Sequence, residues 1–277
     1  MKKNITEFKI MKEKNDKICM LTAYDYPSGQ LAEQAGVDVI LVGDSLGNVV
    51  LGYDSTVPVT MDEMLHHAKA ARRGAKETFL VTDMPFMSYA TEELALLNAG
   101  RLIKEGGADA VKIEGGSYFA PTVQRLTKAG IPVVGHIGLT PQTATQLGGL
   151  KVQGKDLERA KELIEDSLAL EEAGIFMLVI EAIPKQLGAE ITRRLRIPSI
   201  GIGAGKECDG QVLVYHDLLG MYSNFKPKFV KRYENLGEKT VQAISQYCEE
   251  VKGNAFPFDE HTFNLSDEVI TKLYGNK

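Results

Sequence analysis

Short apolar runs recur along this chain, each entered through a glycine and closed by a polar or charged residue. Gln34-Ala35-Gly36 leads into residues 39–42 and then Asp44. Gly106-Gly107 leads into residues 110–113 and Glu114, and Glu172-Ala173-Gly174 into residues 177–180 and Glu181. Gly130 before Val133, Val134 and His136 repeats the phrase, and Gly74 before residues 79–81 and Asp83 repeats it more loosely. A glycine after a helix supplies the left-handed terminal conformation, and a near-continuous apolar run suits a parallel strand buried on both faces. The pattern therefore predicts strand and helix units in series.

The stretches between these runs carry helix signals. Thr60-x-x-Glu63 is a capping box, Glu92 and Glu93 follow Thr91, and Leu157, Ala160, Ile164 and Leu168 recur at intervals of three and four residues. Residues 18–23 and 199–202 raise the strand count to seven, with 211–215 as the eighth. Alternation of this kind predicts a parallel α/β fold. The strand count and length favour a closed (β/α)8 TIM barrel, although an open doubly wound sheet uses the same alternation. Ile5–Lys14 reads as a leading helix within residues 1–16, and residues 254–277 as a loose tail. No Ser/Pro-rich linker divides the chain, so residues 1–277 are expected to form a single barrel domain.

Composition narrows the function classes. A net charge of -5 gives no basic stripe for a nucleic-acid backbone. Lys226, Lys228, Lys231 and Arg232 form the one notable basic cluster and read as the solvated start of a helix. Cys19, Cys208 and Cys248 are widely spaced and odd in number, which fits a reducing compartment better than a disulfide framework. Glu7, Lys9, Lys12 and Glu13 interrupt any secretion signal after Lys2 and Lys3, and no apolar run approaches a membrane helix. A cytoplasmic protein with no membrane partner is expected.

In parallel α/β folds the active site lies at the carboxyl ends of the strands, where this chain places Asp44, Asp83, Glu114, His136 and Glu181. A single acid there could merely cap the next helix. Asp44, Asp83 and Glu114, however, end three consecutive strands, about 4.8 Å apart, and could converge on one ion directly or through water. All-oxygen ligands favour Mg2+, whose remaining positions go to water and substrate oxygens. Lys112 stands two residues before Glu114 and so shares its face, either as an internal ion pair or as a clamp for a substrate anion. Glu181 follows an apolar strand beyond His136 and suits general acid/base work, unless it only pairs with an arginine. His136 reads as a substrate contact or a satisfied core histidine. The adjacent His66 and His67 lack metal-pair spacing. Residues 201–205 form a glycine-rich strand-end loop that either cradles phosphate or makes a tight turn.

Several longer motifs resemble the ketopantoate hydroxymethyltransferase (3-methyl-2-oxobutanoate hydroxymethyltransferase) family. They are Val42-Gly43-Asp44-Ser45-Leu46-Gly47, Asp54-Ser55-Thr56 with Pro58-Val59-Thr60, Asp83-Met84-Pro85-Phe86-Met87 and Val111-Lys112-Ile113-Glu114-Gly115-Gly116. Gly135-His136-Ile137-Gly138-Leu139-Thr140-Pro141-Gln142, Lys151-Val152-Gln153-Gly154, the 201–205 loop with Asp209-Gly210-Gln211, and His216-Asp217 continue the likeness in order.

The resemblance implies a barrel of the phosphoenolpyruvate/pyruvate superfamily. It implies transfer of a hydroxymethyl group from 5,10-methylenetetrahydrofolate to 3-methyl-2-oxobutanoate, giving 2-dehydropantoate, the first committed step of pantothenate synthesis. By motif, Asp44, Asp83 and Glu114 match Mg2+ positions, Asp44, Ser45, Asp83 and Lys112 match keto-acid contacts, and Glu181 matches the proton-transfer residue. A homo-oligomer, a decamer, is implied as well. The rival readings are a Mg2+-dependent keto-acid lyase that cleaves a carbon–carbon bond and a catalytically silent small-molecule-binding barrel.

Overall fold

A computed structural model describes residues 2–221 and 227–275. In chain order the elements begin with α1 (Ile5–Lys14), β1 (Ile18–Thr22), α2 (Tyr26–Gln34), β2 (Val39–Val42), α3 (Leu46–Val49), α4 (Met61–Gly74) and β3 (Phe79–Asp83). Next come α5 (Glu92–Lys104), β4 (Ala110–Glu114), α6 (Ala120–Lys128), β5 (Val133–Gly138), α7 (Leu157–Ala173) and β6 (Met177–Glu181). The series ends with α8 (Lys185–Arg194), β7 (Ser199–Ile202), β8 (Gly210–Leu213), α9 (Tyr215–Leu218), α10 (Leu236–Lys252) and α11 (Asp267–Tyr274).

The strands form a closed barrel in sequential order with every pairing parallel, which removes the open-sheet alternative. Closure follows from strands that are apolar on both faces. Val39 and Leu41 of β2 turn inward to meet Met20, Phe79, Val81 and Val134, whereas Ile40 and Val42 turn outward against the helix layer. Each such fully buried side chain contributes about 1.5–3 kcal/mol of transfer free energy, so an open edge here would be costly.

The floor of the barrel is plugged from below by α1. Phe8 is fully buried, with its ring edge-on to Phe79 at 5.2 Å, and Phe79 in turn meets Phe176 at 5.7 Å. The helix is started by a capping box between Asn4 and Glu7. Asp209 fastens it to the closing seam, accepting from Lys12 Nζ at 2.7 Å and from the Ser199 N–H at 2.8 Å. The capping box predicted at Thr60 forms, with Thr60 and Glu63 bonding reciprocally, and Thr91 ahead of Glu92 and Glu93 is the N-cap of α5.

Three expectations are corrected. The eighth strand ends at Leu213, because Val214 turns the chain into α9 and the Tyr215 N–H donates to Thr22 Oγ1. Lys228, Lys231 and Arg232 precede α10 instead of starting it, and Lys226 lies outside the described residues. The stretch after Gly253 contains α11, so it is not wholly irregular.

The helix expected after the basic cluster is α10, which starts only at Leu236 and buries none of its residues. Val241, Ile244, Tyr247 and Val251 form an exposed stripe along it at helical spacing. The outward side chains Cys19 of β1 and Gln211 of β8 are exposed as well, leaving the outer face of that seam open. No helix among the described residues is long and apolar enough to cross a membrane.

Asp209→Ala leaves Lys12 and the Ser199 N–H without their partly buried acceptor. It is expected to cost about 2–3 kcal/mol, since breaking one side of a fully buried pair costs roughly 3–5 and these groups retain some solvent. Thermal unfolding should show a midpoint lowered by several degrees.

Candidate active site

Strand register brings the predicted polar residues to one level. Asp83 pairs with Lys112, Glu114 with His136, and Gly138 with Glu181, so each side chain has its neighbour on the adjacent strand. The two-residue strand period sends Lys112 and Glu114 to the same inner face, with only 4% and 2% of their side chains exposed. Together with Asp44, Ser45, Asp83, His136 and Glu181 they line a cavity of about 410 Å³ at the barrel mouth.

Asp83 reaches the turn after β2 that carries Asp44. Asp83 Oδ2 accepts from the Asp44 N–H at 3.0 Å, and Asp83 Oδ1 lies 3.2 Å from Lys112 Nζ without hydrogen-bond alignment. Burial pushes the Asp44 carboxyl well up, and the Glu114 and Asp83 charges push it further, against Lys112 and the Gln142 amide. Asp83 is raised by burial too, with Lys112 opposing. Burial works against the Lys112 ammonium, but Asp83, Glu114 and Asp44 outweigh it and hold the proton firmly.

Glu114 is engaged differently from the other two acids. Its Oε1 lies 3.7 Å from Lys112 Nζ and 3.3 Å from His136 Nδ1, and its Oε2 accepts from the Gln142 N–H at 3.1 Å. Among the described residues no three His, Cys, Asp or Glu side chains close into a ligand cage. Asp44 and Asp83 thus form a pair joined through the Asp44 N–H, while Asp83 and Glu114 both lie beside the Lys112 ammonium. A divalent ion fits the pair: Asp83 Oδ1 is buried without a hydrogen-bond donor, and the neighbouring carboxylates repel one another.

His136 links this cluster to Glu181. Its Nε2 is 3.3 Å from Glu181 Oε2, within ion-pair range though not aligned as a hydrogen bond. Its Nδ1 is 3.0 Å from Lys112 Nζ, so a neutral ring would accept there and a protonated ring donates to Glu114. Burial and Lys112 oppose the proton, but Glu114 and Glu181 prevail and raise His136 to about 9. Glu181 therefore stands one imidazole away from Glu114. It pairs with His136.

Ser45 Oγ lies 2.9 Å from Tyr24 OH, and Tyr24 is held through its carbonyl by His67 Nδ1 at 2.6 Å. His67 is therefore structural. The 201–205 loop is a packing turn: a Cβ at Gly203 would strike Phe229 and one at Gly205 would strike Lys185.

Sequence reasoning passed over Gln142 and Tyr89. Gln142 enters from a single turn at Pro141–Thr143, and its Nε2 donates to Asp44 Oδ2 at 2.8 Å and to the Met84 carbonyl at 3.0 Å. Its Oε1 accepts from Tyr89 OH at 2.5 Å. One amide thereby fixes both Asp44 and the loop after β3, and only the Thr140-Pro141-Gln142 motif hinted at it.

Fold and site together define a (β/α)8 enzyme scaffold with a charged, water-excluding floor at the carboxyl ends of its strands. Residues 2–259 match the family model described as ketopantoate hydroxymethyltransferase, and the chain belongs to that family. It is 59% identical over 273 residues to a 3-methyl-2-oxobutanoate hydroxymethyltransferase of Geobacillus kaustophilus, covering 98% of each chain. The enzyme of the same name from Carboxydothermus hydrogenoformans is 58% identical over 271 residues, again covering 98% of each. Among solved structures, 2,3-dimethylmalate lyase, a member of the PEP mutase/isocitrate lyase superfamily, superposes with a TM-score of 0.59 at 14% identity. That alignment covers 98% of this chain and 91% of the other.

Gln142→Leu removes the amide that orients Asp44 and leaves Tyr89 OH without its acceptor. Loss of such a supporting contact is expected to lower kcat/KM about ten- to a hundredfold. Steady-state assay beside a circular dichroism spectrum, which should stay that of the parent, checks it.

Proposed function

We propose that this enzyme transfers a hydroxymethyl group from 5,10-methylenetetrahydrofolate to 3-methyl-2-oxobutanoate, giving 2-dehydropantoate for pantothenate biosynthesis. The observation that carries the chemical reading is the continuous buried chain from Asp44 and Asp83 through Lys112, Glu114 and His136 to Glu181, all open to one cavity. Family membership and the relatives' shared name support the substrate assignment.

Asp44 and Asp83 would hold Mg2+, with Glu114 acting on its water shell. Bound there, the ion supplies positive charge that favours the enolate of the keto acid over its keto form. Lys112 and Ser45 Oγ hold the substrate carboxylate, the first as a desolvated cation and the second as a donor positioned by Tyr24. Glu181 takes the proton from C3. His136, anchored by Glu114 on its other nitrogen, sets the carboxylate in place and balances its charge. Water cleaves the two C–N bonds of the donor's methylene, so that tetrahydrofolate leaves with both nitrogens protonated and the one-carbon unit keeps the water oxygen; the enolate carbon then bonds to that carbon, and the alkoxide formed takes the proton back from Glu181.

We also propose that residues 1–277 act as one barrel unit in a homo-oligomer, because the stripe on α10 stays exposed among the described residues even with Phe256 against Tyr247. Light scattering after size exclusion should give a mass several times that of one chain. Ile244→Asp, at 56% exposure, should shift it downward without unfolding the barrel.

Glu181→Gln tests the central step. Keto-acid binding should persist while deuterium uptake at C3 from D2O falls by at least about a hundredfold, the range of a lost general base. Exchange retained near the parent rate would remove Glu181 from the role. Dialysis against a chelator should silence exchange in the parent enzyme, and Mg2+ should restore it.

A further inference from the structure

The mouth of the barrel has two unlike halves. In the closed strand order β3 and β4 stand opposite β7 and β8. The first half carries Asp83, Lys112 and Glu114, while the facing half is apolar, built from Ile202, Val212, Leu213, Val214 and Phe229. Among the described residues lining that apolar half, the one charged side chain is Asp217, from α9.

A five-carbon keto acid bound to the charged half leaves the apolar half unfilled. The whole cavity, about 410 Å³, falls in the range of roughly 300–1,000 Å³ that accepts drug-sized ligands. A ligand matched to the second half needs broad apolar faces and an edge of N–H donors for one carboxylate. It must also present its reacting atom beside Glu181, on the strand next to β7.

We propose that this apolar half is the docking site for the pterin ring of the one-carbon donor, with Asp217 accepting from the ring's 2-amino and N3–H groups. The two donors lie side by side as in a guanidinium, so one carboxylate takes both in parallel hydrogen bonds. Phe229 and Leu213 cover the ring faces, and the methylene carbon is carried toward C3 of the keto acid. Burial raises the Asp217 carboxyl, with Arg232 drawing it back, which marks a partly desolvated acceptor whose hydrogen bonds compete weakly with water. The inference rests on the folate-dependent reaction proposed above, but it assigns residues to the donor and not to the keto acid.

The test uses the full-length oligomer saturated with Mg2+ and keto acid, titrated calorimetrically with tetrahydrofolate, which lacks the transferable carbon. Asp217→Asn should weaken tetrahydrofolate binding about ten- to a hundredfold, the range for losing a charge-assisted hydrogen bond. Phe229→Ala should weaken it as well, and deuterium exchange at C3 of the keto acid, which needs no folate, should stay at the parent rate in both variants. Unchanged tetrahydrofolate affinity in Asp217→Asn overturns the proposal, and so does a parallel collapse of exchange and folate binding in both variants. Absence of exchange in the parent, with folate affinity still dependent on Asp217, would strike the deprotonation step and leave this site standing.

Discussion

Four carboxylates meet two cations on the floor of the barrel mouth, and almost everything else in the structure is arranged around that imbalance. Asp44, Asp83, Glu114 and Glu181 are set against Lys112 and His136 in surroundings from which water is largely excluded. With all six charged, two negative charges remain, and an uncompensated buried carboxylate costs several kcal/mol. The protein alone relieves this by raising Asp44 well above the ordinary carboxylate range. A divalent cation held by Asp44 and Asp83, as proposed, would relieve it without a proton and would supply positive charge where a keto acid is to be deprotonated.

The fold supplies the precision that this balance demands. Parallel register puts Asp83 beside Lys112 and Glu114 beside His136, and barrel closure fixes those neighbours from every side. Gly138 lets β5 end against β6, where a Cβ would lie 2.2 Å from the Glu181 carbonyl oxygen, so His136 and Glu181 approach without displacing the strand. Gln142 and Tyr89 then tie three strand ends together from above. The interior below the site is packed with apolar side chains, which keeps the fields of the acids strong.

Much of this was legible in the chain itself. A two-residue period was enough to place Lys112 and Glu114 on one face, and strand-end position was enough to aim Asp44, Asp83, His136 and Glu181 at the mouth. The closeness of Glu181 to Glu114 was not legible, because the bridging role of His136 depends on register between strands distant in sequence. Gln142 was missed for a related reason: a neutral side chain in a loop carries no charge or periodicity that marks it, and its importance lies in reaching Asp44 across 98 residues of sequence. The eighth strand was misplaced because Gly210–Leu213 is short and half exposed, lacking the apolar run that marked the others. Helix α10 does carry a readable stripe at Val241, Ile244, Tyr247 and Val251, but among the described residues it stays exposed apart from the packing of Tyr247 against Phe256.

Anomalous scattering from crystals grown with Mn2+ in place of Mg2+ tests the central claim most directly. A single strong peak in contact with carboxylate oxygens of both Asp44 and Asp83, with Glu114 still turned toward Lys112 and His136, is the predicted result. A peak bound chiefly by Glu114 or lying outside the barrel mouth, or no peak at saturating Mn2+, would contradict it.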